Sequence, residues 1–171
     1  METASQGDMA AFEQLVIRHQ SAAWRVAMRY AGDANEAEDL VQEAFLRILD
    51  AASRYKPTAS FRTYFYRVLT RLSIDHTRKK RPIPLDPLPQ TTDPGPSASA
   101  RMARAEREDF IRAALDSLPP KYRMVIVLRY FEGMSGQEMA QILKTTPKAV
   151  ERLLARARKR LEPLLQGLRK P

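Results

Sequence analysis

The chain has 171 residues, no cysteine and a formal net charge of +9. Without cysteine, disulfide frameworks, thiolate metal centres and cysteine nucleophiles are excluded, and the length permits one domain or two small ones. The N-terminal METASQGDMA is neither basic nor followed by an apolar run, and the longest purely aliphatic run is Val125–Leu128, so a soluble, cytoplasmic protein without membrane insertion is expected.

The first predicted helix covers Met9 to Tyr30, with Phe12, Val16, Ala23, Val26 and Tyr30 near helical spacing and Gly32 placed to end it. His19 lies on or beside that stripe and reads as a boundary histidine. Asp33 and Glu36 have capping-box spacing and open a second helix, Asp33 to Asp50, with six carboxylates against the single Arg47. On a wheel of about 100° per residue, Ala37, Leu40, Val41, Ala44 and Ile48 share the core face. Asp39, Gln42, Glu43, Leu46 and Asp50 stand opposite, with Phe45 and Leu49 at the border. An apolar Leu46 among carboxylates repels nucleic acid and suits a basic protein partner.

A loop containing Tyr55 and Pro57 leads to Ser60, an N-cap candidate for a basic helix ending near Arg81. Phe61, Phe65, Val68, Leu69 and Leu72 share one face. Thr63, Arg67, Thr70, Arg71 and Arg78 lie opposite, and arginines interleaved with hydroxyls, Tyr64 and Tyr66 suit phosphate contacts and base stacking. Asp75 beside His76 has no nucleophile arranged with it, which argues against catalysis.

From Pro82 the chain turns to Pro, Ser, Thr and Gly, a composition that builds no core and reads as a linker. The expected division is residues 1–81, a linker over 82–104 and residues 105–171, with two mechanically independent domains. Residues 101–171 hold sixteen basic side chains against eight acidic ones, pointing to nucleic acid or an anionic membrane. Phe110, Ile111, Ala114, Leu115 and Leu118 form a stripe cut off by Pro119-Pro120. Val125, Ile126, Leu128 and Phe131 form another, closed by Gly133. Ser135 and Glu138 make a capping box for a short helix, and Thr146-Pro147 opens a long one after a turn at Lys144-Thr145. This is the layout of a helix-turn-helix. Val150, Leu154, Ala157 and Leu161 form the buried stripe of its second helix. Lys148, Arg152, Ala155, Arg156 and Lys159 form the opposite face, where small Ala155 lets the helix lie deep in a major groove.

These residues carry a family resemblance. Asp39-Leu40-Val41-Gln42-Glu43 with Ala44-Phe45-Leu46-Arg47 resembles the polymerase-binding helix of bacterial sigma factors, and Phe61 to Arg81 resembles the promoter-melting helix next to it. Leu118-Pro119-Pro120, Glu132-Gly133-Met134-Ser135, Glu138-Met139-Ala140 and Val150-Glu151 with Leu154 to Arg158 resemble the promoter-distal domain. The nearest type is the compact extracytoplasmic-function group.

The resemblance implies an all-α, two-domain initiation factor, not an enzyme and without cofactor or metal. Asp39, Gln42, Glu43 and Leu46 would dock on the clamp helices of the polymerase largest subunit, with the flap region of the second-largest subunit a further contact. Tyr55, Arg62, Thr63, Arg67, Thr70, Arg71, Arg78 and Lys79 would hold the unwound minus-ten strand. Lys148, Arg152, Ala155, Arg156 and Lys159 would read the minus-thirty-five duplex, and an anti-sigma factor is the expected regulator. Lys144 stands where the family usually has Gly, so a left-handed turn there costs about 1 kcal/mol. Glu151 and Leu153 replace commonly basic residues. Two rivals remain at this level: a free-standing helix-turn-helix regulator, which leaves the acidic face idle, and an enzyme built on Glu36, Glu38, Asp39 and Glu43, which spread around their helix.

Overall fold

Gly32 takes φ +78, a left-handed conformation open to glycine, and so stops helix α1 (Met9–Ala31). The structure is a computed structural model that describes residues 9–54, 59–79 and 98–165. Helix α2 (Ala34–Asp50) starts on Asp33, whose Oδ1 accepts from the Glu36 amide at 2.9 Å, the N-cap that the spacing predicts. After a 3-10 turn at Ala52–Arg54, α3 (Phe61–Lys79) starts on Ser60, whose Oγ accepts from the Thr63 amide at 3.2 Å.

These three helices close around Phe45. Its ring lies 4.6 Å from Phe65 and 6.3 Å, edge-on, from Phe12. Phe45 is therefore core, not border, because α1 and α3 both fold over the edge of the α2 stripe. His19 is half-buried beside Phe61 at 5.1 Å. Burial first, then Arg18 and Arg62, lowers its pKa below the ordinary histidine value, as suits a neutral boundary residue. His76 Nε2 lies 3.2 Å from Glu36 Oε2, tying the end of α3 to the first turn of α2.

Helix α4 (Ala98–Asp116) already begins inside the span expected to be linker. Residues 80–97, which hold most of that linker, lie outside the described residues. Pro120 occupies the first position of α5 (Pro120–Ile126), which runs on into a π-helical turn, Val127–Phe131, where the Glu132 amide reaches back to the Val127 carbonyl at 3.3 Å. A π turn adds a residue to the helical repeat and rotates the residues beyond it. Met124 through Leu128 are all buried, while further into the turn Tyr130 is 57% exposed and Phe131 36% exposed. Phe131 therefore leaves the stripe to which the sequence pattern assigned it.

Helix α6 (Gly136–Ile142) opens on the predicted capping box. Ser135 Oγ accepts from the Glu138 amide at 3.2 Å, and the Ser135 amide donates to Glu138 Oε2 at 2.8 Å. In the next turn Lys144 has φ 50, the one non-glycine residue with positive φ among those described. The Thr145 amide donates to the Ala140 carbonyl at 2.9 Å, and Thr146 Oγ1 then caps α7 (Pro147–Leu165) through the Ala149 amide at 3.2 Å. Lys144→Gly should relieve the strain of the left-handed backbone, offset partly by the greater freedom of glycine in the unfolded chain. A net gain of about 0.5–1 kcal/mol is expected, read as a higher midpoint in urea with unchanged slope.

The chain is all-α, with a bundle of α1–α3 and a second bundle of α4–α7, and the two pack on each other across α3. One face of α3 lies on α1 and α2, and another meets α5 and α6. The buried residues of both bundles form one continuous core. Mechanical independence is therefore not what this structure shows, and polar contacts reinforce the shared core. Arg123, 7% exposed, donates to the Tyr30 carbonyl at 2.9 Å and pairs with Asp116 at 2.8 Å, pinning α5 to the end of α1. The Arg29 guanidinium sits 4.3 Å over the Phe131 ring.

Candidate functional site

The acidic face of α2 is presented as its wheel implies. Asp39 and Gln42 are exposed, Glu43 is half-buried and pairs with Arg47 at 2.6 Å, and Leu46 is 50% exposed. Leu46 is one wall of an open groove of about 600 Å³ between α1 and α2, with Phe12, Val16 and Trp24 along the other. Trp24, the chain's one tryptophan, is 40% exposed. Sequence reasoning passed over it; the available signal was a large aromatic standing off the apolar stripe of α1. An apolar groove rimmed by Glu38 and Gln42, on a helix face that also carries Asp39, suits a basic, partly apolar protein segment and repels phosphate.

The α3 surface is less open than its wheel suggests. Arg71 and Arg78 are exposed, with Arg71 Nε 3.8 Å from Asp75. Thr63 and Thr70 are buried, at 8% and 3% exposure, and the Thr63 hydroxyl is engaged with Ser60 Oγ at 3.0 Å. Arg62 pairs with Glu138 of α6 at 3.0 Å, and Arg67 donates to the Gln141 carbonyl at 3.1 Å. The buried Tyr66 hydroxyl donates to Glu132 at 3.1 Å, and burial first, then the Glu132 carboxylate, raises its pKa well above the ordinary tyrosine value. Tyr55 and the Lys79 side chain lie outside the described residues.

The helix-turn-helix presents its second helix as expected. Val150, Leu154, Ala157 and Leu161 are buried, and Ala140 is buried where α6 meets α7. Lys148, Arg152, Ala155, Arg156 and Lys159 are exposed, and none of the four cations forms an ion pair with a described residue. Ala155 and Lys159 also border an open apolar groove of about 880 Å³, walled by Ile111 and Leu115 of α4 and by Tyr130 and Phe131 of the π turn. Lys148, Arg152 and Arg156 stand clear of that groove. Glu138 has its pKa lowered, first by the Ser135 amide, as a carboxylate capping a helix should. Among the described residues no three His, Asp or Glu side chains converge as a metal site, and no helix is long and apolar enough to cross a membrane.

Comparison with known proteins matches residues 15–83 to the sigma-70 region 2 family and residues 111–161 to sigma-70 region 4. The chain is 30% identical to the ECF RNA polymerase sigma factor SigW of Bacillus subtilis, over 98% of this chain and 96% of that one. It is 32% identical to the ECF sigma factor SigE of Mycolicibacterium smegmatis over 95% of this chain, which spans 65% of the length of SigE. Among solved structures it resembles CnrH in complex with the cytosolic domain of CnrY, with TM-score 0.72, 30% identity and coverage of 96% of this chain and 94% of that one.

Proposed function

The chain belongs to the extracytoplasmic-function group of sigma-70-family sigma factors, non-catalytic proteins that direct RNA polymerase to promoters, and from that membership we propose how its surfaces divide the work. The groove of α1 and α2, with Asp39, Gln42, Glu43 and Leu46 along α2, is the docking face for the clamp helices of the polymerase largest subunit. The observation that carries this assignment is the separation of charge and shape: an aromatic-lined groove beside the carboxylates of α2 on one bundle, and on the other a basic arc without an ion pair to any described residue.

On the second bundle, Lys148, Arg152 and Arg156 of α7 meet the minus-thirty-five duplex, with Ala155 and Lys159 at the edge of that contact. The apolar groove beside them receives the flap region of the second-largest subunit. On α3, Arg62, Thr63, Arg67, Thr70, Arg71, Arg78 and Lys79, with Tyr55 of the preceding loop, serve the unwound minus-ten strand. Since Thr63 and Thr70 are buried here, their part is in shaping α3. A protein regulator of the anti-sigma type covers one or both grooves. The structure of the similar CnrH with a bound CnrY domain supports such a partner.

The test is a pair of substitutions. Arg152→Ala should weaken duplex promoter binding by about 1–3 kcal/mol if it makes a bidentate base contact, and leave opening of a pre-melted template nearly untouched. Arg71→Ala should do the reverse, with a closed complex that forms and a strand that is not captured. Gel-shift affinity beside permanganate reactivity of promoter thymines reads both steps. The same defect from both substitutions in both assays would refute this division.

A further inference from the structure

Arg62, Tyr66 and Arg67 are the side chains of α3 best suited by chemistry to a nucleic-acid strand: two guanidinium groups and a phenol on one helical face. In this structure none of them faces solvent alone. Each is met by an oxygen acceptor from the second bundle: a Glu138 carboxylate oxygen at 3.0 Å, a Glu132 carboxylate oxygen at 3.1 Å and the Gln141 carbonyl at 3.1 Å. Two carboxylates and a carbonyl along one helix face repeat the chemistry of successive phosphate oxygens and a sugar or base oxygen on a strand.

We propose that α6, with the turn before it, occupies the strand-binding face of α3 as an internal stand-in for a single-stranded phosphodiester backbone. Unwound DNA and the helix-turn-helix bundle then compete for Arg62, Tyr66 and Arg67. The inference rests on the assignment of α3 to the unwound strand, and it makes Tyr66, which the sequence pattern already marks for base stacking, a strand contact beside Arg62 and Arg67.

The contact is built to be exchanged. The Arg62–Glu138 pair is 44% and 43% exposed, so water and salt screen it. Arg67 Nε is buried without a hydrogen-bond partner. So is Thr70 Oγ1, which lies on the same α3 face one turn beyond Tyr66. Orphaned buried polar atoms disfavour the state that orphans them, and a strand supplies the acceptors they lack. The π turn is part of the device, because it delivers Glu132 to the end of α5 facing Tyr66.

The test uses the full chain and a labelled single-stranded oligonucleotide. In Glu132→Ala/Glu138→Gln, the glutamine preserves the capping box of α6 while two of the three acceptors are lost or neutralised. Strand affinity should rise about tenfold, the gain expected when a competent state populated at about a tenth becomes dominant. Glu13→Gln/Glu106→Gln, which removes two exposed carboxylates elsewhere, should reproduce little of that gain. Because the chain has no native cysteine, spin labels at Gln14→Cys and Gln137→Cys report the separation of the bundles, which should lengthen on addition of the oligonucleotide.

Equal gains in the two double variants, strand binding at unchanged label distance, or no strand binding by either protein would each overturn the proposal. Promoter-directed transcription with core polymerase, measured alongside, separates such a result from failure of the polymerase-docking assignment.

Discussion

Asp39→Lys/Glu43→Lys should lose core polymerase while keeping its helices. Both residues sit on the outer arc of α2, away from Ala37, Leu40, Val41, Ala44 and Ile48, so neither substitution touches the buried stripe. The change at Glu43 also removes the partner of Arg47 and leaves two like charges one helical turn apart. A face that presented carboxylates beside the Leu46–Trp24 groove then presents cations to a basic partner. Juxtaposed like charges at an interface cost several kcal/mol, which places the expected loss of affinity at about a hundredfold or more. Co-purification with core polymerase should vanish, and competition against the parent chain should give the size of the effect. The far-ultraviolet circular dichroism should be unchanged, since the loss of an exposed i,i+4 pair is worth about 0.3–0.5 kcal/mol. Undiminished co-purification would refute the docking assignment and leave the groove without a function.

The second large effect is on stability. Arg123→Ala should destabilise the chain by about 3–5 kcal/mol, the cost typical of removing one partner from a buried ion pair. Arg123 donates to the Tyr30 carbonyl, the Asp116 carbonyl and the Asp116 carboxylate, so truncation strands three acceptors at once. Asp116 shows why the loss exceeds the worth of the pair itself. Burial raises its pKa despite the opposing Arg123 and Arg112, so losing Arg123 removes the group that offsets most of that desolvation. Asp116→Asn/Arg123→Met, which removes both charges and keeps volume, should recover much of the loss. A double variant no better than Arg123→Ala would show that Arg123 acts through its hydrogen bonds to the Tyr30 and Asp116 carbonyls, which methionine cannot make.

Several features of this protein arise from local sequence alone. Helix starts are written in short-range hydrogen-bond chemistry, and Asp33, Ser60, Ser135 and Thr146 each accept an amide three residues on. Helix ends are written in backbone sterics, as at Gly32 and Gly133. The left-handed turn at Lys144, φ 50, was legible only through the family resemblance, which places a glycine there. The buried stripes of α2 and α7 were readable because one side of each helix meets an apolar core and the other meets solvent, the condition under which a 3.6-residue period reports burial.

Where that condition fails, only the tertiary structure decides. Helix α3 is covered on two faces, and the second is covered by polar partners. Arg62, Tyr66 and Arg67 keep their polar character in the sequence and so read as part of an open nucleic-acid face. Contacts between groups more than sixty positions apart leave no periodic trace in either segment. The π turn at Val127–Phe131 breaks the period itself and turns Tyr130 and Phe131 out to line a groove. The place of Trp24 depends on how α1 leans on α2. Local chemistry therefore determined the helices and the charge of each face, while the packing of the two bundles decided which faces are open, because burial by a polar neighbour is a property of the pair and not of either strand of sequence.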